Sequence, residues 1–265
     1  MSIPVPFGQY VPIDSPVHRL EARAKLALAA VYTVMLFSVS GFVGLGLAAV
    51  MAAVAIAVSR VPVRIVIRGL KAVTFLLVFT VLVHALKWNP ATVSLFRVGS
   101  LAIDGPGLLE GLFFALRVLL LVLGTSLITL TTSPVALTDG LERVMKPLER
   151  LRFPAGDVAM MLTIALRFIP TTAEEAEKII VAQSARGARF DARGPITRAK
   201  AYVPVLVPLF VSLFRRADDL AIAMESRCYR GGVGRTKYKQ SFFVVMDWVV
   251  LLVGVAAMTA VAVLV

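Results

Sequence analysis

The sequence predicts an all-α, polytopic membrane protein, and two observations carry that prediction. Hydrophobic residues make up 58% of the 265 residues and charged residues only 17%, whereas soluble domains are about half apolar and about a quarter charged. The apolar residues also form long runs, and the 34 residues from Leu26 to Ser59 contain no Lys, Arg, Asp or Glu. Because lipid offers the backbone no hydrogen-bond partner, an apolar run of roughly 20 residues predicts a spanning helix.

Five spanning helices account for the uncharged runs. The longest run is too long for one span and fits a tight helical hairpin that breaks at Gly41. The fourth run ends at Ser133-Pro134, and the last run, near the C-terminus, contains a single charged residue, Asp247. We predict spans at residues 25–40, 42–59, 66–88, 108–132 and 242–265.

The distribution of Lys and Arg predicts the orientation. These residues collect on the cytoplasmic side of membrane proteins, which also explains the net charge of +12. Segment 134–240 carries 18 Lys or Arg against 11 Asp or Glu, and the loop around Gly41 carries no charge. We predict that the N-terminus and residues 134–240 are cytosolic and that the C-terminus is external. The other cytosolic basic residues are Arg19, Arg23, Lys25, Arg60, Arg64, Arg68 and Lys71, whereas the loop after the third span has Lys87 and Arg97 against Asp104 and Glu110.

The long basic segment predicts a domain of amphipathic helices, because its apolar residues recur at helical spacing. It separates residues 1–133, which comprise an N-terminal arm and four predicted spans, from the last span at 241–265. The first stripe consists of Leu141, Val144, Met145 and Leu148, and an apolar stretch follows at 158–169. A second helix is predicted at 174–189, with Glu174 and Lys178 spaced as an ion pair within the helix.

A third and longest amphipathic helix is predicted at 203–229. Pro204 and Pro208 are expected to kink it or delay its start, and Arg215 and Asp219 are spaced as a second ion pair within a helix. Its apolar stripe is too extensive for so small a domain to bury, so we expect it to contact partner proteins. The stripe consists of Val211, Phe214, Ala217, Leu220, Ala221 and Met224.

The sequence offers no recognisable catalytic, cofactor or metal site. It contains no G-x-x-x-x-G-K-[ST] phosphate loop and no H-E-x-x-H pattern. His18 and His84 stand alone, and Cys228 is the single cysteine. Arg117 lies inside the fourth predicted span, where it is either a functional residue or one that extends to the interface. Gly107 and Gly111 form a G-x-x-x-G, which is a weak signal of helix packing.

Two short segments, 183–189 and 224–232, resemble each other. Each places an Arg between small residues where an amphipathic helix is expected to end: Ala185-Arg186-Gly187 in the first and Ser226-Arg227-Cys228 in the second. Small neighbours let another backbone come close, and the guanidinium can bind carboxylates or helix-end carbonyls. The alternative is an ordinary helix end with an Arg that favours the dipole. The repetition after 41 residues favours two docking points.

These segments, with two others, resemble one known family. Three stretches carry the resemblance. They are the opening from Gly8-Gln9-Tyr10-Val11-Pro12 through Arg19-Leu20, the stretch Arg167-Phe168-Ile169-Pro170 through Gly187, and the stretch Arg216-Ala217-Asp218 through Gly231, closing with Gly234-Arg235-Thr236. The chain is similar over nearly its whole length to the transmembrane T component (EcfT, CbiQ-like family) of energy-coupling factor (ECF) transporters. These are prokaryotic importers of vitamins and metal ions.

The resemblance implies a scaffold in the prokaryotic cell membrane that couples two ATPase subunits to one substrate-binding membrane subunit. The family's two Ala-Arg-Gly-like signatures imply ATPase docking at Ala185, Arg186, Gly187, Glu225, Ser226, Arg227 and Cys228. The second signature departs from the pattern, since Ser226 replaces the Ala and Cys228 the Gly. ATP and Mg²⁺ would be bound by the ATPases, and this chain would bind no cofactor. We assign the substrate-subunit contact to Phe214, Ala217, Leu220, Ala221 and Met224.

Other functions remain open at this point. A conventional importer permease would form the substrate path itself and needs a buried polar pathway, for which Arg117 is one of few candidates. The dedicated cobalt or nickel version of the T component is a second alternative, although the opening motif looks more like the version shared among substrate subunits. A membrane-embedded enzyme needs clustered Asp, Glu or His in the spans, and a nucleic-acid binder needs aromatic residues among the basic ones. Neither pattern is present in the sequence.

Overall fold

The computed structural model describes residues 10–87, 94–98, 101–151, 153–188, 190, 194–231 and 243–264. Within these ranges the chain is almost entirely helical, which confirms the all-α prediction. Sequence predictions at Gly8, Gln9, Trp88, Arg189, Gly232, 234–236, Phe242 and Val265 lie outside the described residues. The α-helices are α1 Pro16–Arg19, α2 Ala22–Ser38, α3 Phe42–Ser59, α4 Val63–Ala85, α5 Gly105–Thr131, α6 Pro134–Met145, α7 Ala155–Ala185, α8 Pro195–Ser226 and α9 Val245–Leu264, and a 3-10 helix covers Lys146–Leu151.

Helices long and apolar enough to cross a membrane are present, as the multi-pass prediction requires. By length and composition, four described helices qualify: α3, α5, α9 and the part of α8 from Ile196 to Ser226. The bent helix α4, Val63–Lys71 followed by Val73–Ala85, brings the number to five. Helix α3 has the predicted bounds. Helix α2, the first predicted span, has only 17 residues and is not among these helices, whereas α8, predicted as an amphipathic helix of the cytosolic segment, is. The described helices therefore support a multi-pass membrane protein.

A small antiparallel sheet lies between α4 and α5, where the sequence analysis predicted only a loop. Its strands are β1 Leu86–Lys87, β2 Ser94–Val98 and β3 Leu101–Asp104, in the order β1-β3-β2. The third predicted span therefore ends at Ala85, because Leu86 and Lys87 pair with β3. Val98 pairs with Leu101, and the sequence between them, Gly99-Ser100, has the composition that short hairpin connections favour.

The chain divides into two compact units. The larger unit contains Gly8–Gly140 and Ser241–Val265, and the smaller unit contains Leu141–Gln240. The core of the larger unit is formed where α2, α3 and α5 meet, and side chains of α9 pack against it. Its buried residues are Tyr32, Met35, Leu36, Val39, Leu45, Ala48, Ala52 and Leu120.

Glycines permit the closest helix contacts in the larger unit. A Cβ on Gly124 would lie 2.6 Å from the ring of Tyr32, so the glycine makes room for that buried side chain. A Cβ on Gly111 would lie 3.0 Å from the backbone of Val81 and from the Cβ of His84. Gly111, part of the weak G-x-x-x-G signal, therefore packs α5 directly against α4.

The N-terminal arm lies against the end of α5. The amide of Val11 donates to the carbonyl oxygen of Leu130 at 3.0 Å. The ring of His18 is held between the Ser15 hydroxyl, 2.7 Å from Nδ1, and the Val11 carbonyl oxygen, 3.1 Å from Nε2. On the exposed side, the hydrogen bond from Arg19 lowers the pKa of the Asp14 carboxyl. His18 therefore orders the arm, and this role accounts for both of its ring nitrogens.

Arg117 caps the end of a helix. Its Nη2 donates to the carbonyl oxygen of Val39 at 2.5 Å, and its guanidinium carbon lies 4.7 Å from the centre of the Phe113 ring. Val39 is the C-cap residue of α2, where carbonyl groups lack partners within the helix. Arg117 thereby stabilises the hairpin between α2 and α3. His84 likewise has a packing role, since its ring lies 5.1 Å from that of Phe114.

The smaller unit consists mainly of two long helices. The sequence predicted the stretch 158–169 and a helix at 174–189 as separate elements, but α7 is continuous from Ala155 to Ala185 with Pro170 inside it. The prediction that prolines delay the third amphipathic helix is also wrong, because α8 begins at Pro195, upstream of both Pro204 and Pro208. Both helices therefore accommodate an internal proline despite its local cost.

Candidate docking site

The first arginine signature forms the end of α7. Arg186 is the C-cap residue, and Gly187 follows with φ of 90°. The amide of Gly187 donates to Ser184 O at 3.0 Å, and the amide of Ala188 donates to Gln183 O at 3.0 Å. These two bonds define a Schellman motif, which reverses the chain after a helix and requires a left-handed residue. The glycine of the signature supplies that conformation without steric cost.

The second signature ends α8 in the same way. Arg227 is the C-cap residue, the amide of Cys228 donates to Glu225 O at 2.9 Å, and the amide of Tyr229 donates to Met224 O at 3.0 Å. Cys228 occupies the position of the glycine and has φ of 59°. A side chain in this region usually costs about 1–2 kcal/mol. The local structure therefore retains the Schellman motif although the sequence lacks its preferred residue.

Both arginines are available to a partner. Arg186 and Arg227 are exposed, as are the signature residues beside them: Ala185, Gly187, Glu225, Ser226 and Cys228. Within the part of the chain that the structure describes, neither guanidinium is hydrogen-bonded or ion-paired to another residue. Each lies at a helix C-terminus, beside carbonyl groups that carry partial negative charge. The predicted site residues thus form two separate but equivalent surfaces, each with one free planar donor group.

The predicted apolar stripe of α8 is largely uncovered. Phe214 is 69% exposed, Ala217 and Ala221 are exposed, and Leu220 and Met224 are half-buried. A soluble surface rarely presents large apolar side chains in a continuous row, which indicates contact with lipid or protein. Further exposed residues along the same helix are Val203, Leu206, Val207, Phe210, Val211 and Ile222.

The charges of α8 limit how much of it could lie in lipid. Its uncharged stretch between Lys200 and Arg215 contains only 14 residues. At 1.5 Å per residue this is about 21 Å, less than the roughly 30 Å of the hydrocarbon core. A stretch of this length is typical of a protein-contacting or interfacial helix. Although the helix is long and apolar enough overall, its charge pattern favours a helix that contacts protein or lies at the membrane interface over one that spans the bilayer.

A polar cluster between α7 and α8 was not predicted. The local spacing predicted ion pairs within helices, Glu174 with Lys178 and Arg215 with Asp219, and neither is present among the described ion pairs. Instead, Arg216 Nη2 donates to Glu175 Oε2 at 2.8 Å, between the two helices. The signal was ambiguous because adjacent residues of like charge, Glu174-Glu175 and Arg215-Arg216, offer several pairings.

Comparisons with known proteins decide the family. The profile of the CbiQ family, described as cobalt transport protein, matches residues 14–238. The energy-coupling factor transporter transmembrane protein EcfT of Thermanaerovibrio acidaminovorans is 46% identical over 250 residues, which cover 93% of this chain and 91% of that protein. The chain belongs to this family. The EcfT proteins of Thermosediminibacter oceani, 46% identical over 89% of this chain and 88% of that protein, and of Bacillus subtilis, 41% identical over 88% of each, agree.

Membership of the EcfT family confirms the resemblance predicted from the N-terminal and arginine motifs. It agrees with the apolar helices in supporting a multi-pass membrane location. The roles assigned to individual residues, the orientation of the termini and the absence of a cofactor stay predictions. The predicted domain division at 1–133, 134–240 and 241–265 also stays a prediction. The compact units divide near these boundaries, at 140/141 and 240/241.

Proposed function

We propose that this chain is the transmembrane scaffold of an ECF-type ABC importer. It couples ATP hydrolysis by two partner ATPase subunits to uptake of a vitamin or other micronutrient by a substrate-binding membrane subunit. The observation that carries the proposal is the pair of matching helix ends, each with an exposed arginine at the C-cap of a long helix. Two equivalent docking surfaces suit a partner that is itself a homodimer or heterodimer.

Each ATPase subunit would bind one arginine. In a partly desolvated groove, the planar guanidinium can form two parallel hydrogen bonds with a carboxylate or contact helix-end carbonyls. The neighbouring Ala185 and Gly187, and Ser226 and Cys228, are small enough to let the groove approach the helix backbone. Nucleotide and Mg²⁺ would be held by the ATPases, and this chain would be non-catalytic, since it has no phosphate loop.

The substrate-binding subunit would cover the apolar stripe of α8. Desolvating a largely exposed Phe214 is favourable by about 25 cal/mol for each Å² of apolar surface that is buried. The stripe ends at Met224, next to the second arginine signature. A movement of the ATPase bound at Arg227 would therefore be transmitted along one rigid helix to the substrate-binding subunit.

The orientation follows from the basic residues. The N-terminus and segment 134–240 would be cytosolic and the C-terminus external, in a prokaryotic cell membrane. In this arrangement both arginine signatures face the compartment that contains ATP. The relatives that match most of the chain carry the EcfT name, which favours the shared module over the dedicated cobalt or nickel version.

Co-purification tests this proposal. The tagged chain, expressed from its native context and extracted in mild detergent, should retain two ATPase subunits and one small membrane protein, identified by mass spectrometry. Phe214→Asp and Leu220→Asp should release the membrane protein while the ATPases stay bound. Val181→Asp, at a comparably exposed apolar position on α7 outside the stripe, is the matched control and should retain both. Loss of the ATPases with retention of the membrane protein would reverse the assignment of surfaces.

A further inference from the structure

A polar cluster joins the two long helices of the smaller unit. Glu175 accepts hydrogen bonds from Arg216 Nη2, at 2.8 Å, and from the hydroxyl of Ser212. Arg216 Nη1 donates to Thr171 Oγ1 at 3.0 Å. The side chains of Arg216 and Glu175 are 32% and 25% exposed, so water screens their attraction only in part. We refer to Thr171, Glu175, Ser212 and Arg216 as the clasp.

The clasp follows the same 41-residue repeat as the arginine signatures. Thr171 corresponds to Ser212, Glu175 to Arg216, and Arg186 to Arg227. Eleven residues separate Glu175 from Arg186, and eleven separate Arg216 from Arg227. In an α-helix this is about three turns, or about 16 Å. Each docking arginine therefore lies the same distance beyond the clasp and on the same side of its helix as the clasp residue.

The two helices run in opposite directions. The hydroxyl of Tyr229, just beyond the end of α8, lies 3.5 Å from Oδ1 of Asp157, in the first turn of α7. An antiparallel pair with equivalent residues at the contact has a local two-fold axis through that contact. Residues that correspond across such an axis face each other, and identical charges there would repel. Glu175 opposite Arg216 replaces this repulsion by attraction.

The segments that connect the clasp to the two arginines contain no helix breaker. Residues 175–185 and 216–226 include neither Pro nor Gly, whereas Pro170, Pro204 and Pro208 all lie on the other side of the clasp. Helices bend sharply mainly at proline or at glycine–serine pairs. These two segments, which we call the arms, are therefore stiff, and a change of angle at the clasp moves both of their ends.

We propose that the clasp is the pivot of the coupling domain, and that Glu175 and Arg216 are positioning residues that fix the separation of the two docking arginines. The inference rests on the proposed function, because it assigns the arm ends to ATPase subunits. The partner that fits is a pair of subunits related by two-fold symmetry, with its axis passing through the clasp. Two equal arms then present equivalent docking points to the two subunits. A reorganisation of the clasp, whose charged side chains are 25% and 32% exposed, would change the separation of the two arm ends.

Distances between the arms test the pivot. Val181 and Ile222 correspond under the same repeat, and both are exposed, at 64% and 65%. Spin labels at Val181→Cys and Ile222→Cys, in a Cys228→Gly background, report the separation of the arm ends in the full chain and in the ATPase complex. Glu175→Gln and Arg216→Gln should each broaden or shift this distance distribution. Removing one charge-assisted hydrogen bond should raise the population of other arrangements about tenfold.

Matched controls and a charge swap separate positioning from general stability. Glu174→Gln and Arg215→Gln remove the same charges from exposed neighbours outside the clasp, and they should leave the distance distribution unchanged. The swap Glu175→Arg with Arg216→Glu should restore both the parental distance and the ratio of substrate transported to ATP hydrolysed. The pivot is overturned if Glu175→Gln and Arg216→Gln behave like the two controls.

Failure of the proposed function has a different signature. If the parental chain retains no ATPase, the docking assignment is wrong, yet the distances measured on the full chain in detergent still report whether the clasp sets the arms. If ATPases are retained by all variants, with unchanged distances and unchanged coupling ratio, the docking assignment stands and the pivot is wrong.

Discussion

Lys25 Nζ donates to the carbonyl oxygen of Thr131 at 2.9 Å, and this contact joins the start of α2 to the end of α5. The same ammonium donates to His18 O and to Thr132 Oγ1, both at 3.3 Å. The last carbonyls of a helix have no partner within it, and a cation there is also favoured by the helix dipole. A single buried side chain thus joins the N-terminal arm to the end of α5 and caps that helix.

Removal of this ammonium should destabilise the larger unit. Lys25→Met keeps most of the apolar stem but leaves buried carbonyls without a donor, which costs about 1–3 kcal/mol. We expect a lower midpoint of thermal unfolding in detergent and faster proteolysis of the N-terminal arm. Lys71→Met, at an exposed lysine of α4, is the control and should unfold like the parent. Equal midpoints for both variants would show that the contact with Thr131 contributes nothing.

Substitution of Asp247 should destabilise the larger unit about as much as substitution of Lys25. Its carboxylate accepts from the amide of Val244 at 2.9 Å and from the amide of Glu21 at 3.0 Å, and the residue is 4% exposed. Val244 and Glu21 precede α9 and α2, so one carboxylate caps two helices. Asp247→Ala should cost about 1 kcal/mol for each cap. Hydrogen exchange should accelerate at the first turns of both helices, whereas Asp218→Ala, at an exposed position, should leave it unchanged.

The membrane helices could be predicted from sequence because their cause is local. An uncharged run must form a helix in lipid wherever it occurs, so α3 has its predicted bounds from Phe42 to Ser59. The helix ends at Arg186 and Arg227 were also predictable, since small residues after an amphipathic stripe indicate a C-cap. These features depend on neighbours within a few residues.

The contacts that organise the rest depend on residues far apart in sequence. Asp247 reaches an amide 226 residues away, and Glu175 pairs with Arg216 across 41 residues. No local spacing indicates such a partner, and the available local spacing favoured Glu174 with Lys178. The predicted late start of α8 was wrong for the same reason. Pro204 and Pro208 disfavour a helix locally, but the remainder of α8 tolerates them.

Substitutions at the left-handed residues of the two helix ends should change the stability of the chain in opposite directions. Cys228 has φ of 59°, and Cys228→Gly should stabilise the chain by about 0.5 kcal/mol, since relief of strain exceeds the added freedom of the unfolded chain. Gly187 has φ of 90° and no atom within 4 Å of a Cβ built on it. Gly187→Ala should therefore cost about 0.5–1 kcal/mol from backbone strain alone. Thermal unfolding midpoints that move in the same direction would contradict this account.

Cysteine labelling tests the predicted orientation. In a Cys228→Gly background, Ser40→Cys lies at the exposed turn between α2 and α3 and should react with a membrane-impermeant maleimide added outside intact cells. Ile196→Cys, which is 72% exposed at the start of α8, should react only after permeabilisation. Labelling of Ile196→Cys from outside would place the smaller unit on the external face and overturn the proposed orientation.

The two docking arginines provide the sharpest test of the proposed function. Truncation of an arginine in a desolvated groove costs about 2–5 kcal/mol at an interface, because the partner group is left without a donor. If Arg186 and Arg227 only favour the helix dipole, each contributes about 0.3–1 kcal/mol. We therefore expect the double variant Arg186→Ala with Arg227→Ala to fold normally but to lose the ATPases and ATP-driven uptake. Each single variant should weaken ATPase binding, and lysine should be a poor substitute because it lacks the planar fork.

The control for this double variant is Arg198→Ala with Arg215→Ala, which removes the same charge from exposed positions of α8 outside both signatures. It should retain the ATPases at the parental level in a pull-down and support uptake by reconstituted vesicles. The comparison isolates the arginine contacts from net charge, since both double variants differ from the parent by two positive charges. Uptake near the parental rate by Arg186→Ala with Arg227→Ala would show that these helix ends do not couple the ATPases to transport.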